Sequence, residues 1–159
     1  MLNCAAAGDA IPEGALVADV GSGAGLPGIA LALSRPDLFM VLIEPLDRRC
    51  QWLEEVVEDL GIQDRVDVIR ARAEQVFDHV DADVVTARAV TALRTLIPLT
   101  VPLLHGRGEL IALKGKSVEA EIEKAQKIIR KHKGRDISVE TLGEGILEEP
   151  TTIVRITVG

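Results

Sequence analysis

Short apolar runs alternate with helical patterns along most of the chain. Five runs are nearly continuous in Val, Leu, Ile and Ala, which is typical of parallel strands buried on both faces. We predict these strands at Leu16–Val20, Phe39–Glu44, Val66–Arg70, Asp83–Ala87 and Glu109–Leu113. Two β-branched segments follow, "RDISVETLG" (135–143) and "TTIVRITVG" (151–159). We interpret them as a closing pair of strands.

Between the strands, apolar residues recur at steps of three and four, which indicates amphipathic helices. One stripe spans residues 46–60 and is stopped by Gly61. Another spans residues 118–129, with Ser117 as the expected N-cap and Gly134 just past the end. Strand–helix units closed by a strand pair predict an α/β fold. Its sheet is mostly parallel, of about seven strands, with helices on both faces and an antiparallel pair at the end.

The composition is 47% hydrophobic and 27% charged over 159 residues, which is ordinary for a single globular domain. We expect one domain, with residues 1–15 as a lead-in to a core at 16–159. No apolar run approaches the roughly 20 residues that span a bilayer. No signal-peptide pattern opens the chain. Cys4 and Cys50 provide neither a disulfide framework nor a metal cluster. We therefore expect a cytoplasmic monomer with no membrane contact and no metal.

The net charge of −7 argues against a generally basic protein that binds DNA or other nucleic acid. Residues 124–135 carry six Lys/Arg and no acid, but cations near a helix C-terminus are stabilising. We interpret this run as a solvated helix face. Arg48 and Arg49 differ, because they begin a helix, where the macrodipole disfavours positive charge. Phosphate binding is one explanation for them, and a solvated pair neutralised by Asp47 or Glu44 is the other.

A glycine-rich loop, "VADVGSGAGLPG" (17–28), joins the first strand to a helix, where doubly wound sheets bind nucleotides. Glycines let the backbone turn sharply and approach a ligand closely. The dinucleotide fingerprint G-x-G-x-x-G is satisfied by Gly23, Gly25 and Gly28. The D-x-G-x-G-x-G motif of S-adenosylmethionine methyltransferases is satisfied by Asp19, Gly21, Gly23 and Gly25. An NAD-dependent oxidoreductase is therefore an alternative, although the chain has no tyrosine for a Tyr-x-x-x-Lys pair.

Two acids near this loop bear on the ligand. Glu44 ends the second strand, where a carboxylate accepts hydrogen bonds from ribose hydroxyls in either S-adenosylmethionine or NAD. Asp19 lies two residues before the glycines, where a carboxylate can order the loop and face the ammonium group of methionine. The same charge repels the pyrophosphate of NAD. Asp19 therefore favours S-adenosylmethionine as the cofactor.

Five blocks extend the pattern: "ADVGSGAGLPGIALAL", "LIEPLDRRCQWL", "RARAEQV", "TARAV" and "ALKG". In their order and spacing, over residues 2–115, the chain resembles the bacterial small-subunit (16S) ribosomal RNA guanine-N(7) methyltransferases, the RsmG/GidB family. The resemblance implies a Rossmann-like methyltransferase fold with S-adenosylmethionine as cofactor and S-adenosylhomocysteine as product. It implies 16S rRNA or the small ribosomal subunit as partner, in rRNA processing.

Matching motif by motif, the resemblance implies five cofactor contacts. Gly21 and Leu26 lie in the glycine loop, Ala73 and Glu74 border the adenine, and Arg88 closes the methionine end.

Two departures from the family are visible. Ala87 stands where the family usually has a serine, so any contact from that serine is lost. The family has a helical region before this core, and Met1 stands where that region should be finishing. We expect a shortened core. A core that binds S-adenosylmethionine or S-adenosylhomocysteine without methylating RNA is thus a second alternative.

Methylation at the ring N(7) of guanine needs no general base, because this nitrogen has a free lone pair. Positioning and electrostatics then supply most of the catalysis. The chain has neither the Asn/Asp-Pro-Pro-aromatic block of exocyclic-amine methylation nor a Pro-Cys nucleophile. We assign no catalytic residue beyond two positioning candidates, Arg88 and Lys114, which follow strands four and five. The RNA-binding candidates are Arg48, Arg49, Lys114 and Lys116. Trp52 could stack a base, but its place beside an apolar helical stripe favours partly buried core.

Overall fold

A seven-stranded sheet forms the centre of the protein in the computed structural model, which describes residues 8, 11–23, 25, 27–88, 92–114, 118–142 and 151–159. Its strands, β1 to β7 in chain order, are Leu16–Val20, Phe39–Glu44, Val66–Arg70, Val84–Arg88, Gly108–Lys114, Gly134–Leu142 and Thr151–Val158. Their order in the sheet is β3-β2-β1-β4-β5-β7-β6. Strands β1 to β5 pair in parallel, and β7 is antiparallel to both β5 and β6. The predicted fold class, including the antiparallel pair, is confirmed.

Several boundaries of β4, β5, β6 and β7 differ by one residue from the sequence prediction, and two of these differences have a visible cause. Strand β4 begins at Val84 rather than Asp83, and the Asp83 carboxylate instead accepts a hydrogen bond from the Leu16 amide at 2.9 Å. Gly134 was expected after the last helix but begins β6. A Cβ at Gly134 would stand 2.6 Å from Cγ2 of Ile129, so the absence of a side chain lets the strand start directly against the helix.

Four helices connect the strands: α1 Gly28–Ser34, α2 Asp47–Asp59, α3 Leu93–Thr100 and α4 Glu119–Lys131. Short 3₁₀ turns follow β3 at Ala73–Gln75 and α3 at Val101–Leu104. Helix α4 has Val118 at its N-cap, which corrects the expected N-cap Ser117. Ser117 itself lies outside the described residues. Among these residues, no helix is long and apolar enough to cross a membrane.

The two faces of the sheet are covered by different helices. Neighbouring strand residues point to opposite faces, so Val17 packs in the apolar cluster with α1 and α2, whereas Ala18 packs in the cluster with α3 and α4. This double burial explains why the central strands read as continuous apolar runs.

The strand order reverses between β1 and β4. The chain runs outward from β1 to β3 and then returns to the other side of β1 as β4. In open α/β sheets, ligands bind at the carboxyl ends of the strands at such a switch point. The glycine loop follows β1 and therefore lies at this position.

Candidate cofactor and RNA site

The glycine loop folds back over the end of β2. The Gly21 amide donates a hydrogen bond to the carbonyl of Ile43 at 2.8 Å. Gly21 and Gly25 have φ angles of +72° and +85°, in the left-handed region that favours glycine. A Cβ at Gly25 would stand 2.9 Å from Cγ1 of Ile29. The turn that leads from β1 into α1 therefore requires glycine at this position.

The side chain of Asp19 connects the glycine loop, the start of α1 and strand β4 by hydrogen bonds. Its Oδ2 accepts hydrogen bonds from the Ser22 hydroxyl at 2.9 Å and the Gly28 amide at 3.1 Å. Its Oδ1 accepts one from the Thr86 hydroxyl of β4 at 2.8 Å. The Asp19 side chain is fully buried, so it orders the loop as expected. Both oxygens accept hydrogen bonds inside the protein, and contact with a ligand's ammonium group stays a prediction.

The position of the Asp19 carboxylate discriminates between phosphate and non-phosphate ligands. In dinucleotide sites, the pyrophosphate rests on the free amides at the N-terminus of the helix after the glycine loop. Here the Gly28 amide at the start of α1 donates to Asp19. A Cβ at Gly28 would stand 2.5 Å from Oδ2 of Asp19, so the glycine is what allows this approach. The amide at the start of α1 is therefore engaged by a buried carboxylate, whose charge disfavours a phosphate beside it.

Burial governs the ionisation of Asp19. Desolvation raises the pKa of its carboxyl group from 3.8 to about 6. The hydrogen bonds from Thr86, Ser22 and Gly28, and then the charge of Arg88, act in the opposite direction. Arg88, the last residue of β4, is therefore close enough to influence the end of β1.

Glu44 holds the other side of the loop. Its Oε1 accepts a hydrogen bond from the Gly23 amide at 2.9 Å, and its Oε2 accepts one from the Leu46 amide at 3.0 Å. The side chain is 2% exposed. A carboxylate has roughly four acceptor positions, so capacity for ribose hydroxyls is left. Arg49 Nη1 lies 4.0 Å from Oε1, at the same edge of the sheet.

The remaining predicted cofactor residues lie around this centre. The turn after β3 adjoins the end of β2, because the Ala71 amide donates to the Glu44 carbonyl at 3.1 Å. Ala73 and Glu74 open the 3₁₀ turn that follows, the first buried and the second exposed. Arg88 is exposed at the end of β4. Four neighbouring strands thus bring their predicted residues to one edge. Leu26 lies outside the described residues.

The cations chosen from the sequence fall into two groups. Arg48 and Arg49 are exposed in the first turn of α2. Lys114 is only 10% exposed, and its Nζ lies 3.0 Å from Oε1 of Glu121. The same Glu121 oxygen accepts a hydrogen bond from the Leu93 amide at 3.3 Å. Lys114 is thus held inside a contact between β5, α3 and α4, which corrects the expectation that its charge faces RNA. Lys116 lies outside the described residues.

Some residues at this edge were missed by sequence reasoning. Ser22 and Thr86 complete the Asp19 network, and only the parallel register of Asp19 with Thr86 reveals the second. Arg70 and Arg72 are exposed at and just after the end of β3. Trp52 was expected to be partly buried core. It is 45% exposed, and its Cζ3 lies 3.5 Å from where a Gly25 Cβ would stand.

A separate cleft of about 570 Å³ runs along the flank of β3 and α2 and has three acids in its lining, Glu54, Glu58 and Asp67. Among the residues that the structure describes, no cluster of His, Cys, Asp or Glu is arranged to hold a metal ion. Cys50 is buried, and its thiol donates to the Glu44 carbonyl at 3.1 Å.

The fold and the loop define a Rossmann-like methyltransferase as the class of protein. Among solved structures, a B. subtilis tRNA methyltransferase superposes with a TM-score of 0.77 at 18% identity, covering 99% of this chain and 65% of that one. At this identity, the likeness shows the fold.

The family follows from sequence comparison. The family model described as rRNA small subunit methyltransferase G matches residues 1–150. The ribosomal RNA small subunit methyltransferase G of Pseudarthrobacter chlorophenolicus is 62% identical over 158 residues, which are 99% of this chain and 73% of that protein. The protein of the same name from Paenarthrobacter aurescens is 60% identical with the same coverage. The chain belongs to the rRNA small subunit methyltransferase G family.

Proposed function

We propose that this protein transfers a methyl group from S-adenosylmethionine to the ring N(7) of a guanine in 16S rRNA, in the cytoplasm. Family membership supports the substrate class. The observation that carries the cofactor assignment is the hydrogen bond from the Gly28 amide to the buried Asp19 carboxylate. It engages the amide at the start of α1 with a negative charge, which disfavours a dinucleotide phosphate there, and S-adenosylmethionine has no phosphate.

We assign the cofactor to the edge where β3, β2, β1 and β4 end. Gly21, Gly23 and Gly25 would lie against it without a Cβ in the way. The remaining contacts in this assignment come from Glu44, which accepts from the ribose hydroxyls, from Ala73 and Glu74 at the adenine, and from Arg88 at the methionine end. Leu26 remains a predicted contact.

The chain's own residues act mainly by positioning. Asp19 and Glu44 hold the amides of Gly28 and Gly23, so the loop keeps its shape before any ligand arrives. A site organised in advance avoids the cost of reorganisation during the reaction. When bound, S-adenosylmethionine supplies a methyl group on a sulfonium centre with a good leaving group.

The guanine needs no general base in this proposal. Its N(7) lone pair points outward from the ring, so no proton has to be removed before attack. The protein must bring the base in line with the methyl group and exclude alternative nucleophiles. Arg88, at the end of β4, is a positioning residue for the cofactor in this scheme. Arg48 and Arg49 are assigned to RNA phosphates.

Calorimetric titration tests the cofactor half of the proposal. We expect S-adenosylhomocysteine to bind and NADH not to bind. Glu44→Gln should weaken S-adenosylhomocysteine binding by roughly tenfold or more, because hydrogen bonds to a charged group are worth about 1.5–3 kcal/mol. Glu54→Gln is the matched control, since it changes an exposed acid on α2 that lines the distant cleft. NADH binding with no S-adenosylhomocysteine binding contradicts the assignment. Methyl transfer to 16S rRNA tests the other half.

A further inference from the structure

Helix α2 carries its charges in an unusual direction. Its first turn contains Arg48 and Arg49 beside one acid, Asp47, whereas four acids and no cations lie toward its end, Glu54, Glu55, Glu58 and Asp59. The macrodipole favours the opposite arrangement at each end. Helix α4 follows the rule, with Glu119 and Glu121 in its first turn and Arg130 and Lys131 in its last. Helix stability therefore accounts for the basic residues of α4 but not for those of α2.

Two further arginines extend the positive charge beside α2. Arg70 ends β3 in register with Glu44, and Arg72 follows two residues later. All four side chains are exposed. We call Arg48, Arg49, Arg70 and Arg72 the arginine rim. It lies beside the glycine loop, because Arg49 Nη1 stands 3.2 Å from where a Gly23 Cβ would be.

Acidic side chains near the rim pair with two of its four arginines. Glu44 lies 4.0 Å from Arg49, and Asp47 lies 3.4 Å from Arg70. Glu74 is exposed in the turn after Arg72. Within the described parts of the chain, neither Arg48 nor Arg72 forms an ion pair. These two are available for phosphate oxygens, and Arg matches phosphate with a planar fork of donors.

Trp52 adds an aromatic surface to the rim. It follows Arg48 by four residues on α2, so the two side chains are neighbours on one helix face. It is 45% exposed and lies against the glycine loop at Gly25. Single-stranded nucleic acid is bound by such pairs, with cations on the backbone and an aromatic ring under a base.

We propose that Arg48, Trp52 and Arg72 form the surface that docks unpaired RNA next to the cofactor edge, with the arginines on phosphates and Trp52 stacked on a base. This surface rests on the proposed function, because that function makes RNA the substrate. The basic run on α4, although it carries more cations, is not the docking surface.

Filter binding of 16S rRNA transcribed in vitro, at several salt concentrations, tests the surface. Arg48→Glu/Arg72→Glu should weaken binding roughly tenfold or more, and should lower the slope of log affinity against log salt by about 1.4–1.8, as for two lost phosphates. Lys124→Glu/Lys127→Glu on α4 is the matched control, with the same change in net charge at two exposed positions. It should keep nearly the wild-type affinity and slope.

Trp52 has its own pair of variants. Trp52→Leu should weaken RNA binding by about fivefold or more without changing the salt slope, and Trp52→Phe should restore most of the loss, because stacking needs a ring and not a charge. All variants should bind S-adenosylhomocysteine as the wild type does, which shows that they are folded. The rim variants should also melt no earlier than the wild type, because glutamate suits a helix start.

The docking surface is overturned if the rim variant keeps wild-type RNA affinity, or if the α4 variant loses as much. Failure of the proposed function looks different: the wild-type chain would then fail to bind S-adenosylhomocysteine, or would bind it and transfer no methyl group to 16S rRNA, whatever its RNA affinity.

Discussion

The carboxyl edge of the sheet has two halves that use similar residues differently. On the β1–β2–β3 half, the acids Asp19 and Glu44 are buried and bonded to loop amides, and the arginines stand outside. On the β4–β5 half, the cation Lys114 is itself nearly buried against Glu121. A charged residue after a strand therefore serves either as internal support or as an outward contact. Its burial and partner decide which.

Among the variants that test this comparison, Asp19→Ala should change the free energy of unfolding most. Asp19→Ala should lower the free energy of unfolding at pH 7 by about 3 kcal/mol, because the Gly28 amide and the Thr86 hydroxyl lose their acceptor and Ser22 keeps only the Asp19 carbonyl. Thr86→Val removes only one of those hydrogen bonds and should cost about 1 kcal/mol. Urea unfolding measures both. An Asp19→Ala protein as stable as the wild type would show that the network is not what holds the loop.

Wild type and Asp19→Ala also test how the stability depends on pH. Burial raises the folded-state pKa of Asp19 from 3.8 to about 6, so the folded protein takes up a proton that the unfolded chain does not. This proton uptake adds to the hydrogen-bond contribution of Asp19: the added stability is greatest at low pH and is lost as pH rises through about 6. The difference between wild type and Asp19→Ala should widen as the pH is lowered from 7 to 4.5. A constant or shrinking difference contradicts this environment for Asp19.

A smaller effect separates the two halves directly. Lys114→Met should lower the free energy of unfolding by about 1 kcal/mol, since it breaks a largely buried contact with Glu121, and should leave RNA affinity within about twofold. Arg48→Met, on the other half, should weaken RNA binding and leave stability almost unchanged. Filter binding and urea unfolding on both variants check the pair. Loss of RNA affinity in Lys114→Met alone would reverse the two roles.

Periodicity predicted most of the fold, because buried parallel strands and amphipathic helices leave strong local patterns. The glycine loop was visible from its own sequence, and Glu44 from its position at the end of the apolar run that forms β2. Lys114 was misjudged because its partner Glu121 lies on the next helix, and only the packing of α4 against β5 brings them together. The role of Asp19 in ordering the loop was predicted. Its hydrogen bond with Thr86 was not, because that contact depends on the pairing of β1 with β4.

The arginine rim could not be predicted from local sequence patterns either. Arg48 and Arg72 are separated by a helix and a strand in the sequence, and their common surface arises only from the pairing of β2 with β3. The α4 run is contiguous in sequence and therefore more conspicuous, although its charges are those that a stable helix would carry.

The most direct test of the central claim is methyl transfer to RNA. The chain is incubated with tritiated S-adenosylmethionine and either 16S rRNA transcribed in vitro or unmodified small subunits, and the labelled site is mapped by borohydride–aniline cleavage, which cuts at N(7)-methylguanine. We predict label at one guanine N(7) in 16S rRNA on at least one of these substrates. No label on either substrate, with S-adenosylhomocysteine still bound, contradicts the proposed activity of this chain. Label on an exocyclic amine contradicts the ring-nitrogen chemistry.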